Sequence, residues 1–130
     1  MLGKYLKDLD IQEDKTPQGW CPNDDRQKFW DKDREIYGFD SRETWSLDFT
    51  FKLWLYERLS MYNEINCVDT SFHKYEFKGE TITFQECIDR MLDGLKIELT
   101  IDEYQRNDEQ KEKVEDIVNI FALCLPSLWW

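Results

Sequence analysis

Apolar positions along this chain fall into runs of different period, and the densest lies between Thr44 and Tyr62, where Trp45, Phe49, Phe51, Trp54, Tyr56 and Tyr62 stand among Leu47, Leu53, Leu55, Leu59 and Met61. At about 3.6 residues per turn these side chains point almost all round the axis, which predicts a central helix covered on most of its sides. Upstream, Asn23 is placed to cap a helix over about 24–37, with Asp24 and Asp25 near its positive end and Gly38 to stop it. Phe29, Trp30 and Tyr37 would be the face that this helix lays against the central one. Asp40 followed three residues on by Glu43 has the spacing of a capping box for the central helix, and Thr44 competes for the same role.

After a polar connection the period changes to two. Residues 73–84 alternate as a pair of strands would, with Lys78-Gly79 as the turn, Tyr75 opposite Ile82 and His73 opposite Phe84. Thr83 and Glu86 then give a capping-box start, with Ile82 placed to staple against Cys87, for a helix running to about Leu99. Ile88, Met91, Leu92, Leu95 and Leu99 are its core stripe. Gly94 interrupts it, at a cost of up to ~1 kcal/mol against alanine. A last helix is expected over about 102–124, with Val114, Ile117, Val118, Phe121, Cys124 and Leu125 on its buried face and Pro126 to end it. The reading is therefore mainly α: a compact domain of about four helices with a small hairpin near 73–84.

Length fits that picture, since 130 residues is typical of one domain, and residues 1–23 read as an N-terminal arm on a single helical domain spanning 24–130. The net charge of −11 disfavours direct contact with a nucleic-acid backbone and points to a partner with a basic surface. No stretch suits a signal peptide or a membrane span, so a cytoplasmic location is expected. The four cysteines, Cys21, Cys67, Cys87 and Cys124, lie far apart without a Cys-x-x-Cys pair and read as free thiols. Zinc on Cys67, His73, Cys87 and Cys124 lacks a spacing signature. No cofactor is expected.

Four groups of residues could carry chemistry. Asp31-x-Asp33-x-Glu35 resembles a calcium loop but has Ile36 where glycine is needed and Arg42 where glutamate is needed. His73, the only histidine, would need a serine or cysteine beside it to act as a base, and nothing in the spacing nominates one. Around the start of the central helix, Asp40, Arg42, Glu43, Trp45 and Asp48 read as a buried ion-pair network. The competing reading is a small-ligand pocket in which Arg42 or Arg58 holds an anion and Trp45 or Trp54 stacks on a ring. On the last helix Asp108, Glu112, Glu115 and Asp116 share one side, about 6 Å apart for each four-residue step, close to the phosphate spacing of a nucleic-acid strand. Lys111 and Lys113 interrupt that row, and a solvated face accounts for the same residues.

The segment from Gly38 to Asp48, Gly-Phe-Asp-Ser-Arg-Glu-Thr-Trp-Ser-Leu-Asp, its continuation Leu55-Tyr-Glu-Arg-Leu59, and the ending Leu125-Pro-Ser-Leu-Trp-Trp130 resemble small bacteriophage and prophage accessory proteins. That likeness covers about two thirds of the chain, implies a phage setting in the host cytoplasm, and brings no catalytic residues. The expectation is a non-enzymatic protein that binds a host macromolecule, an inhibitor of host defence or of nucleic-acid handling. Two alternatives stand beside it. One is a protein that sequesters a nucleotide; the other is a virion or assembly component, homo-oligomeric through Leu128, Trp129 and Trp130.

Overall fold

The computed structural model describes residues 2–66 and 72–128. It is mainly α, with a small antiparallel hairpin, as the periodicity predicts. Among the described residues five α-helices occur: α1 Lys4–Asp8, α2 Gln27–Tyr37, α3 Leu47–Ile65, α4 Phe84–Thr100 and α5 Asp108–Cys124, with strands β1 Lys74–Phe77 and β2 Glu80–Thr83 between α3 and α4. The chain gathers into two compact units, Met1–Leu55 and Tyr56–Trp130, and the division falls within α3.

In the first unit short turns outnumber long helices. α2 begins later than expected: Asn23 takes a left-handed φ of 62°, the Asp24 carboxylate accepts the Arg26 N–H at 2.8 Å in a turn ahead of the helix, and α2 itself starts at Gln27 without a side-chain cap. Gly38 ends the helix at φ 84°, its N–H bonded to the Arg34 carbonyl at 3.0 Å. The expected packing face is corrected: of the α2 side chains only Trp30 is buried, while Phe29 and Tyr37 are 60% and 64% exposed. Asp40 and Glu43 do form a reciprocal capping box, but it caps the short 3-10 turn Ser41–Thr44. Thr44 is not a cap, since its hydroxyl donates back to the Ser41 carbonyl at 2.7 Å. α3 follows from Leu47 and is covered on most of its sides, with one stripe left open. Leu53, Leu55, Tyr56 and Leu59 are buried, whereas Leu47, Trp54 and Met61, seven residues apart, are exposed.

In the second unit regular elements carry the core. Lys78 and Gly79 both have positive φ, 50° and 80°, the conformation that the two central residues of a type I′ turn require. The ladder pairs Tyr75 with Ile82, and the Phe84 N–H extends the register by donating to the His73 carbonyl at 3.1 Å. Thr83 caps α4 through its hydroxyl, which accepts the Glu86 N–H at 3.1 Å. Phe84, Cys87, Ile88, Met91 and Leu95 from α4 are buried, as are Ile117, Ile120 and Cys124 from α5.

Gly94 has a reason to be glycine. A Cβ there would lie 2.6 Å from the Lys113 carbonyl oxygen and 2.7 Å from Ile117 Cγ1, so the missing side chain sets the distance between α4 and α5. Arg106 closes the connection between them, donating to the Ile101 and Glu98 carbonyls at 3.0 and 3.2 Å and thus satisfying acceptors at the end of α4.

Two features of the last helix differ from expectation. The segment 102–124 is broken: Asp102 caps a 3-10 turn, Glu103–Gln105, and an Asn107–Gln110 capping box starts α5 at Asp108. Its buried face is Ile117, Ile120 and Cys124, so Val118 and Leu125 stand outside at 52% and 51% exposure. A stripe spaced by three and four residues has two solutions on a helix this apolar, and both contain Ile117; the fit of Ile117 against Gly94 goes with the one that takes in Ile120 in place of Val118 and Leu125.

Candidate functional site

α5 changes character along its length. Its first half carries Asp108, Glu109, Glu112, Glu115 and Asp116, and its second half is almost wholly apolar from Ile117 to Leu125. Residues opposite the buried Ile117, Ile120 and Cys124 are Asp108, Lys111, Glu115, Val118, Asn119, Ala122 and, at the edge, Leu125, all exposed. The outer surface therefore runs from carboxylates to aliphatic groups in about four turns. A helix apolar on two faces needs a second partner for the one that the core leaves bare.

The acidic row is divided. Lys78, presented by the hairpin turn, lies 2.8 Å from both Glu112 Oε1 and Asp116 Oδ1. Its ammonium is held charged well above the ordinary lysine range by these two carboxylates, Asp116 first and then Glu112, and the Glu112 carboxyl is correspondingly lowered. Asp108 and Glu115 remain on the outer face, while Glu112 and Asp116 turn toward the hairpin. Between α4 and α5 a groove of about 140 Å³ is lined by Arg90, Asp93, Lys113, Asp116 and Ile120. Sequence spacing placed the four carboxylates on one side but gave no sign of Lys78, which is 34 residues before Glu112.

The residues grouped as a ligand pocket are only partly together. Arg42 is 2% exposed and its guanidinium is engaged internally: Nε and Nη2 form a fork on the Asp40 carboxylate at 3.0 and 2.9 Å, and Nη1 donates to the Gln18 and Trp20 carbonyls. Arg34 adds a second cation at 2.9 Å from Asp40. Burial pushes the Asp40 carboxyl up, but the hydrogen bonds and charges of Arg42 and Arg34 outweigh it and the net displacement is downward. The Arg42 guanidinium also sits 4.3 Å from the Trp30 ring, which meets Trp45 edge-on at 6.0 Å, with Trp20 stacked on Trp45 at 6.2 Å. The buried ion pair expected at the start of α3 is thus formed by Asp40 and Arg42 with Arg34 joining it, whereas Asp48 stands outside it, exposed and accepting from the Ser46 hydroxyl at 2.9 Å. Trp54 stacks instead on Phe51, and Arg58 is exposed on α3.

His73 acquires a neighbour that spacing did not suggest. Ser127 Oγ is 3.4 Å from His73 Nδ1 and 2.5 Å from the Tyr75 hydroxyl, across 54 and 52 residues of sequence. The ring is half-buried, with Phe72 at 4.3 Å and Phe84 at 6.3 Å. A serine nucleophile needs its base oriented by a further group, and among the described residues no carboxylate reaches this ring. The three side chains latch the turn after α5 to the hairpin.

Among the described residues no cluster of His, Cys, Asp or Glu is arranged to hold a metal ion. Asp31 accepts from Gln27, and Asp33 accepts the Ser41 N–H. Cys87 and Cys124 are buried thiols, with Cys124 pushed up to about 12, by burial first and by Cys87 beside it. Cys67, Trp129 and Trp130 lie outside the described residues; Leu128 is half-buried and donates its N–H to the Leu125 carbonyl. No described helix is long and apolar enough to cross a membrane. No family model, curated protein or solved structure matches this chain.

Proposed function

We propose that this chain acts by binding rather than by catalysis, docking a basic and partly apolar surface of another protein onto the outer face of α5. The observation that carries this reading is the exposed sequence of Asp108, Glu115, Val118 and Leu125 on the side of the helix opposite its core. Carboxylates there steer a basic partner, and the bare aliphatic groups give the contact its area. Asp108, Glu112, Glu115 and Asp116 together repeat a charge at intervals near those of a phosphate backbone, which suits a groove built for nucleic acid. The resemblance to phage and prophage accessory proteins supplies the setting: a host protein of defence or nucleic-acid handling, inhibited by occupation of that groove.

Nucleotide sequestration draws less support. Arg42, the cation proposed to hold an anion, is engaged by Asp40 and two carbonyls. The test is paired affinity capture from host lysate with the unaltered chain and with an Asp108→Asn, Glu112→Gln, Glu115→Gln, Asp116→Asn variant. A basic protein held by the first at low salt, released at high salt and missed by the second is expected. Equal retention by both would end the electrostatic reading, and millimolar nucleotide raising the melting temperature of both would favour sequestration.

A further inference from the structure

We propose that α2 is a self-association helix, through which two copies of this chain pair antiparallel about a two-fold axis between Lys32 and Asp33. Of its eleven residues only Trp30 is buried, and Phe29, Ile36 and Tyr37 are 60%, 60% and 64% exposed. Phe29, Lys32, Asp33 and Ile36 are spaced by three and four residues, so they form one continuous stripe on the helix surface. At its C-terminal end the apolar surface continues into Phe39, 46% exposed, which lines a groove with Asp33, Tyr37, Ser41 and Thr44.

Charge order within the stripe selects the occupant. With the axis between Lys32 and Asp33, Phe29 of each copy meets Ile36 of the other, and Lys32 of each meets the other's Asp33. Lys28 falls opposite the ring of Tyr37, a favourable place for a cation. Every contact is made twice, as a two-fold interface requires. A parallel pairing would set Lys32 on Lys32 and Asp33 on Asp33, and an axis passing through either residue would oppose two like charges. Asp33 already accepts the Ser41 N–H at 3.2 Å, which fixes its carboxylate while leaving capacity to accept from a lysine. Eleven residues at 1.5 Å each give a contact only about 16 Å long, so the dimer belongs to the weak class of small interfaces.

Sedimentation equilibrium of the full chain from about 1 to about 300 µM brackets an interface of that size. The expected result is a monomer at the low end and a dimer at the high end. Phe29→Asp and Lys32→Asp should each remain monomeric throughout with unchanged far-ultraviolet circular dichroism, since both positions are exposed. Asp33→Lys should also be monomeric alone, yet mixing it with Lys32→Asp restores two Asp–Lys pairs per dimer and should restore association. A chain that is monomeric at every concentration, a dimer that survives Phe29→Asp, or a mixture of the two charge variants that stays monomeric would each overturn the proposal. None of these substitutions touches α5, so the outcome is separate from partner binding there.

Discussion

Residues 1–55 and 56–130 reach compactness by different means. The first unit is organised around a polar centre: Asp40 and Arg42, 0% and 2% exposed, with Trp20, Trp30 and Trp45 around them. The second is organised around aliphatic side chains of α4 and α5, packed at the close approach that Gly94 permits. Their surfaces differ too, with nine basic against twelve acidic residues in the first and eight against sixteen in the second. A polar centre specifies one geometry sharply, because each group needs its partner; an aliphatic one tolerates exchange of similar volumes except where backbones nearly touch.

The strongest way to test that difference is Asp40→Ala. It leaves Arg42 buried with two carbonyl acceptors and no counter-charge, and should lower stability by about 3–5 kcal/mol in denaturant unfolding followed by tryptophan fluorescence. Replacing both partners, Asp40→Leu with Arg42→Met, should cost far less, because no uncompensated charge remains. A single substitution costing under about 1 kcal/mol would show that the polar centre is not what holds the first unit.

In the second unit the comparable position is Gly94→Ala. Alanine gains up to ~1 kcal/mol of helix propensity, but its Cβ must displace the Lys113 carbonyl, an overpacking cost of about 1–3 kcal/mol. Net destabilisation of about 1–2 kcal/mol is expected by the same measurement. Stabilisation would mean that α4 and α5 are free to separate there.

Acid should distinguish the units next. Asp40 is lowered overall, and Asp24 sits at about 2 against an ordinary 3.8 because Arg26 hydrogen-bonds its carboxylate through side chain and backbone. A carboxyl whose folded pKa lies below its unfolded value lends stability that is complete above the unfolded value and is lost as pH falls through the folded one. The near-ultraviolet dichroism from the packed Trp30 and Trp45 should therefore decay between about pH 4 and pH 2. Asp24→Asn should remove part of that pH dependence without changing the signal at neutral pH.

The same contrast explains which features were legible in the sequence. Local rules found what local geometry decides: the Asp40 box, the Gly38 stop, the Lys78-Gly79 turn, the Thr83 cap and the register of Tyr75 on Ile82. Periodicity found α4 but chose Val118 and Leu125 over Ile120 on α5, because a helix apolar on two faces has no unique buried stripe until its neighbour is placed. Burying Phe29 and Tyr37 failed for a related reason, since apolar spacing signals a surface seeking cover and does not say which surface covers it. Lys78 on Glu112, and Ser127 on His73, join residues 34 and 54 positions apart, and no spacing rule reaches that far.

Lys78 gives the smallest expected change in stability and the sharpest reading of the acidic surface. It is half exposed and so is Glu112, while Asp116 is largely covered, so Lys78→Met should barely move the denaturation midpoint, in contrast to Asp40→Ala. The clamp is intact at neutral pH, because a lysine raised above its ordinary value loses its contribution only as pH climbs through the folded value. Removing it deletes one positive charge and releases the Glu112 and Asp116 carboxylates beside Asp108 and Glu115. If α5 meets a basic partner, the association rate measured by stopped flow or surface plasmon resonance should rise several-fold at low ionic strength, with the gain vanishing at high salt. A rate unchanged in Lys78→Met would place the contact away from the acidic half of α5 and leave Val118 and Leu125 as the surface to substitute next.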